Sequence, residues 1–156
     1  MKLEELMQEL SARLGLGELD LDDDGGAEII VGDELTVDIG RDEAHTGFCL
    51  SATVGRMPAE GREAVFGELL AANLLGRGTG GAALSVDSSL DEIVLCRNIT
   101  HDELPFEVFE QELATFVEVL KLWHDRYQRD LIGTPETEAE LTDDSSDQST
   151  GSMMRV

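Results

Sequence analysis

The segment from Gly61 to Leu75 constrains this chain more than any other. It reads as a helix that is apolar nearly all the way round. Ala64, Val65, Phe66, Leu69, Leu70, Ala71, Ala72, Leu74 and Leu75 are interrupted by polar side chains only at Arg62, Glu63, Glu68 and Asn73. A surface helix needs one apolar stripe facing its own core, whereas a helix apolar on every side must be covered on every side. A chain of 156 residues has few other elements to cover it with. Either the helix is central and wrapped by its own sheet, or one face packs on that sheet and the other on a second copy. The second arrangement is the expectation here.

Length and charge bound the remaining choices. The chain fits one domain with a real core. Its 34 acidic residues outnumber 11 basic ones, for a net charge of -23. That balance argues against nucleic-acid binding, which needs Lys and Arg to displace counterions from phosphates, and against docking on anionic membranes. It favours solubility and attracts basic partners. The opening MKLEELMQELSARL is amphipathic and acidic, unlike a signal peptide. No run approaches the roughly 20 apolar residues that a membrane span requires. Cys49 and Cys96 lie in separate apolar, strand-like runs, which predicts two small buried thiols in a reducing cytoplasm.

Periodicity predicts the order α-β-β-β-α-β-β-α, an α+β fold with helices packed on a twisted antiparallel sheet. Leu3, Leu6, Met7, Leu10 and Leu14 recur at helical steps over Lys2–Leu14, and Gly15 and Gly17 stop that helix. Strands are predicted at Ala27–Val31, at Glu34–Gly40 with Leu35, Val37 and Ile39 alternating, and at Gly47–Val54. After the apolar helix, Gly76 is a natural stop and GRGTGG reads as a flexible connection. Two more strands, Ala82–Val86 and Glu92–Asn98, flank the loop DSSLD. A last helix begins between Asp102 and Pro105 and runs to about Leu131. The domain is expected to occupy residues 1–132. Residues 133–156 read as an acidic disordered tail, since TPETEAELTDDSSDQSTGS holds six acids and no base.

No catalytic or metal-binding pattern stands out. Asp20, Asp22, Asp24 and Gly25 begin like a calcium loop, but the twelfth position, which needs a bidentate Glu, is Val31. GRGTGG follows a helix and precedes a strand, the reverse of a phosphate loop. His45, His101 and His124 are scattered, and no serine or cysteine sits in a pattern that would activate it. The expectation is no enzyme, no cofactor and no metal.

With the order of elements fixed, the chain resembles class I type III secretion chaperones of the CesT/Tir-chaperone family. The likeness runs over about Met1–Leu131. It is carried by RLGLGELDLDDDGGAEIIV, ELTVDIG and FCLSATVG, most strongly by REAVFGELLAANLLGRGTGGAALSVDSSLDEIVLCRNI, and by FEQELATFVEVLKLWHDRY. The resemblance implies a cytoplasmic bacterial homodimer that binds no nucleotide. It also implies a client, the N-terminal segment of a secreted effector, held extended until export. A regulatory protein or the separate secretion ATPase is a further partner that such a chaperone leaves room for.

An unfolded segment exposes apolar side chains and unpaired backbone, so a chaperone can offer it apolar grooves and a sheet edge. Candidate groove residues are Leu3, Leu6, Leu10 and Leu14, with Ile30, Val37 and Ile39 on the early strands. The dimer contact is expected at Leu70, Leu74 and Leu75, with Asn73 nearby and Leu84 and Val86 on the neighbouring strand. A regulatory chaperone of the same fold, sequestering an anti-activator and coupling secretion to transcription, is the alternative. A nucleic-acid mimic is less well matched, because the acids concentrate in turns and tail rather than along one surface. If the tail lies outside the fold, truncation after Gly133 leaves the melting temperature nearly unchanged; a large drop in a thermal melt would make it part of the domain.

Overall fold

Alternation along five strands builds one apolar sheet face, and two helices cover it. The computed structural model describes residues 1–15, 19, 21–23, 26–41, 47–101 and 103–134. In chain order the elements are α1 (Leu3–Leu14), β1 (Ala27–Val31), β2 (Leu35–Arg41), β3 (Phe48–Arg56), α2 (Arg62–Asn73), a 3-10 turn (Leu74–Gly76), β4 (Ala83–Asp87), β5 (Glu92–Ile99) and α3 (Phe106–Gln128). The sheet is wholly antiparallel, in the order β1-β2-β3-β5-β4. The predicted order of elements and the α+β class are therefore correct. The acid-rich turn residues Asp20, Asp24 and Gly25, His45, and the tail from 135 onward lie outside the described residues.

On the covered face, Ile29, Val37, Ile39, Phe48, Leu50, Ala52, Val54, Leu84, Ile93 and Leu95 are all buried. α1 contributes Leu3, Leu6, Met7 and Leu10, and α3 contributes Phe106, Phe109, Phe116, Leu120 and Trp123. Phe109 meets Phe48 edge-on at 5.8 Å between ring centroids, a preferred aromatic geometry. Met1 and Leu104 exchange two backbone hydrogen bonds, of 2.9 and 3.1 Å, which tie the start of α1 to the entry of α3. The other face, carrying Thr36, Asp38, Cys49, Ser51, Thr53, Cys96 and Asn98, is half-buried to exposed, and none of the described helices lies over it.

The glycine-rich segment is not the flexible connection its composition suggested. Thr79 is 1% exposed and donates its hydroxyl to the Ala82 carbonyl at 2.5 Å. The Trp123 indole donates to the Gly78 carbonyl at 2.9 Å. Arg97 reaches the Gly81 carbonyl at 2.6 Å while pairing with Glu112. Small residues are needed there so that backbone can approach backbone, which locks the turn against α3. The end of α3 is tied down as well: Glu68 on α2 accepts from Arg126 and, at 2.5 Å, from the Gly133 amide, so the folded part includes Gly133.

Two glycines with positive φ separate torsional strain from collision. Gly32 (φ 66°) has open space where a Cβ would stand, while at Gly47 (φ 125°) that atom would lie 2.0 Å from the Ile99 carbonyl oxygen. Gly32→Ala is expected to lose about 1–2 kcal/mol from left-handed strain alone. Gly47→Ala should lose more, because overpacking adds roughly 1–3 kcal/mol. Chemical denaturation checks this; equal losses at both sites would mean that the strand shift at Gly47 is free.

Candidate functional site

α2 is the element whose apolar surface the fold does not consume. Only Val65 and Leu69 are buried, facing β4 and the end of α3. Phe66, Leu70 and Leu74 recur at four-residue steps on the opposite side and are 40%, 71% and 59% exposed. Leu75 follows at 80%. It sits in left-handed backbone (φ 55°, ψ 22°), a conformation that disfavours a leucine and would suit glycine or asparagine at a helix end. The turn thus holds an apolar side chain in solvent at a backbone penalty.

The six residues proposed for a dimer contact are placed unequally. Leu70, Leu74 and Leu75 form the exposed patch, with Phe66 joining them. Phe66 was missed, although its spacing from Leu70 and Leu74 was legible. Leu84 points into the core at 4% exposure, because it lies on the helix-covered face of β4. Val86, two residues on, is half-buried against the same core. Asn73 is engaged within its own chain: its carboxamide donates to the Leu84 carbonyl at 2.9 Å and accepts from the Leu84 amide at 2.8 Å.

The proposed groove residues divide more sharply. Leu3, Leu6, Leu10, Val37 and Ile39 are 0–4% exposed and belong to the chain's own core, so in this conformation they have no surface to offer. The physical reason is simple: their stripes are those that α1 and β2 use to pack on each other's layer. Leu14 and Ile30 are exposed, Ile30 on the open sheet face. Beside it an open trough of about 720 Å³ runs over β1, β2 and β3, lined among others by Leu21, Glu28, Asp38, Gly40, Cys49 and Ser51. A second hollow of about 570 Å³ lies between Lys2, Glu4, Arg41, Phe48 and Glu103.

The trough is acidic at one point. Glu28 and Asp38 are directly opposed across β1 and β2. Partial burial, and then the Glu28 charge, raise the Asp38 carboxyl above its ordinary range. Cys49 and Cys96 are half-buried on neighbouring strands of this open face, not deep in the core as expected. A hydrogen bond with Cys49, and then burial, push the Cys96 thiol far above ordinary thiols, so it is not a poised nucleophile. His124 points a ring nitrogen at the Val54 carbonyl at 3.0 Å, which fixes a structural role, and His101 is exposed. Among the described residues, no three His, Cys, Asp or Glu side chains are grouped to hold a metal ion, and no helix is long and apolar enough to cross a membrane. What the surface offers is apolar area and sheet edges, the means of binding polypeptide.

Residues 5–124 match the sequence model of the Tir chaperone protein (CesT) family. The chain belongs to that family. A Chlamydia pneumoniae protein, CPj0713/CpB0740, is 28% identical over 123 residues, spanning 78% of this chain and 92% of that protein. Among solved structures, the ExsC–ExsE complex contains a chain that matches with TM-score 0.66 at 23% identity, covering 80% of this chain and 96% of that one. The HopA1–SchA chaperone–effector complex matches with TM-score 0.63 at 18% identity, covering 78% and 92%.

The Asp38 environment gives a pH test. A carboxyl whose folded pKa lies above its unfolded value contributes stability that is present below the unfolded value, near 3.8, and is lost as pH rises through the folded one. Asp38→Asn is therefore expected to raise the melting temperature at pH 7, by an increment that shrinks as the pH falls toward 4. An unchanged melt at pH 7 would show that water in the trough already relieves the repulsion.

Proposed function

We propose that this chain is a non-catalytic cytoplasmic chaperone of a type III secretion system, acting as a homodimer. Its client is the N-terminal segment of a secreted effector, which it keeps extended and soluble for export. Family membership supports the chaperone role, and the relatives' complexes, one named as chaperone with effector, support the kind of client. The observation that carries the dimer is the α2 patch of Phe66, Leu70, Leu74 and Leu75, which is exposed among the described residues. Contiguous apolar surface of this kind marks an interaction site.

The client is bound elsewhere, by Leu14, Ile30 and the trough over β1–β3. An extended segment offers alternate side chains to such a surface and its backbone to a strand edge. Ordering it consumes roughly 2–5 kcal/mol of the gross interaction energy, so a wide footprint is required. The strongly negative surface favours clients with basic flanks and promotes fast encounter at low salt.

Leu75 supplies a test with two readouts of opposite sign. Gly at this position relieves left-handed strain of about 1–2 kcal/mol, so Leu75→Gly is expected to stabilise the isolated fold against denaturant. The same change removes an apolar anchor and should weaken self-association by an order of magnitude or more, since burying a leucine contributes about 1.5–3 kcal/mol. Sedimentation of the wild type should give twice the 17.0 kDa chain mass. A wild-type monomer at micromolar concentration, or a Leu75→Gly dimer as tight as wild type, would remove α2 from the interface.

A further inference from the structure

β4 is an edge strand, and one side chain occupies its open side. Its register with β5 pairs Ala83 with Cys96, Leu84 with Leu95, Ser85 with Val94 and Val86 with Ile93. In an antiparallel ladder alternate residues turn both backbone groups to the neighbour and the others turn both away. Leu84 gives its amide and its carbonyl to Asn73, so its groups face away from β5. By the same alternation the amide and carbonyl of Val86 face outward too. The Asn73 carboxamide, one donor and one acceptor on a planar group, meets Leu84 as a peptide unit of an added strand would.

The surroundings make an open edge hazardous. β4 reads ALSVD, with no charge until Asp87 and no proline. It begins beside the exposed leucines at the end of α2, where Leu84 meets Asn73. Natural sheets blunt such edges with charges, prolines, bulges or covering groups. We propose that Asn73 is the guard of this edge. It prevents β4 from pairing with β4 of a second copy, so that copies of the chain meet through side chains and not by extending the sheet. This role needs neither the client nor the export function proposed above. It also accounts for an asparagine as the last residue of an apolar helix, where its side chain holds both backbone groups of Leu84.

The test uses the full chain. In Asn73→Ala the Leu84 amide loses its acceptor, and its hydrogen exchange should accelerate about tenfold in dilute protein, the effect of losing one ordinary hydrogen bond. At higher concentration, sedimentation velocity should reveal species larger than those of the wild type, with new exchange protection at the outward amides of Leu84 and Val86. Adding Val86→Pro should abolish those species: proline removes an outward amide that strand pairing needs, and it takes nothing from the β4–β5 ladder. Wild-type Trp123 emission verifies that each variant is folded. Should Asn73→Ala not fold, Asn73→Ser, whose side chain is too short to hold both the amide and the carbonyl of Leu84, should show the same larger species. An unchanged size distribution in a folded variant, unchanged Leu84 exchange, or large species that survive Val86→Pro would each overturn the proposal.

Discussion

One apolar sheet face and two amphipathic helices set the terms for everything else in this molecule. The strands alternate so strictly that Ile29, Val37, Ile39, Leu50, Val54, Ile93 and Leu95 share one side, and burying that side dominates the folding free energy. α1 and α3 each bring a single stripe, and together they cover it. Once they are in place the central area is full. α2 can reach only the rim, where Val65 and Leu69 find the end of α3 and the flank of β4. Its remaining apolar residues are left over by geometry, not by accident of composition.

The rim position also explains why α2 is so heavily anchored by polar contacts. Arg62 holds Asp91 in the β4–β5 hairpin through two hydrogen bonds, of 2.6 and 3.0 Å. Glu68 joins Arg126 and Gly133, and Asn73 joins Leu84. A helix with two core residues would otherwise rest on too little burial to keep a fixed orientation. The contacts fall at its start, middle and end. They hold the exposed leucines in one arrangement, so that a partner does not have to order the helix on binding. The locked glycine-rich turn acts in the same direction, since Leu75 can remain in left-handed backbone only if the residues after it are fixed.

Much of the fold was legible in the sequence because it is written in short-range patterns. Leu35, Val37 and Ile39 announce a strand, Leu3, Leu6 and Leu10 a helix, and Gly15 and Gly76 their ends. What periodicity does not encode is which neighbour covers a stripe. Leu3 and Val37 look the same in sequence whether they line a groove or fill a core, and here they fill a core. Leu84 was misplaced for the same reason: alternation said which residues share its face, not that the face is buried. Asn73 was marked as polar and near the interface, but its partner is 11 residues away across a turn whose shape no local rule supplies. The GRGTGG segment misled because glycines look flexible in composition, whereas here they permit close packing against Ala72, Thr115 and Val119.

The division of surfaces follows from the same geometry. The side carrying α1 and α3 presents mostly the polar backs of two helices. Leftover apolar area is found at the α2 rim, while the open sheet face offers Ile30 and the shallow trough above β2. These lie on different parts of the sheet, α2 beside β4 at one edge and Ile30 on β1 at the other. A contact made by α2 therefore leaves β1 and its trough uncovered. In a pair of copies joined at α2, the two troughs would stand at the outer ends, separated by the full width of both sheets. A folded client could not reach both without being shaped to them, whereas an extended chain could run from one to the other. The architecture thus couples the two halves of the proposed function: were copies to join at the α2 edge, an extended polypeptide would be the fitting occupant of the two β1 edges.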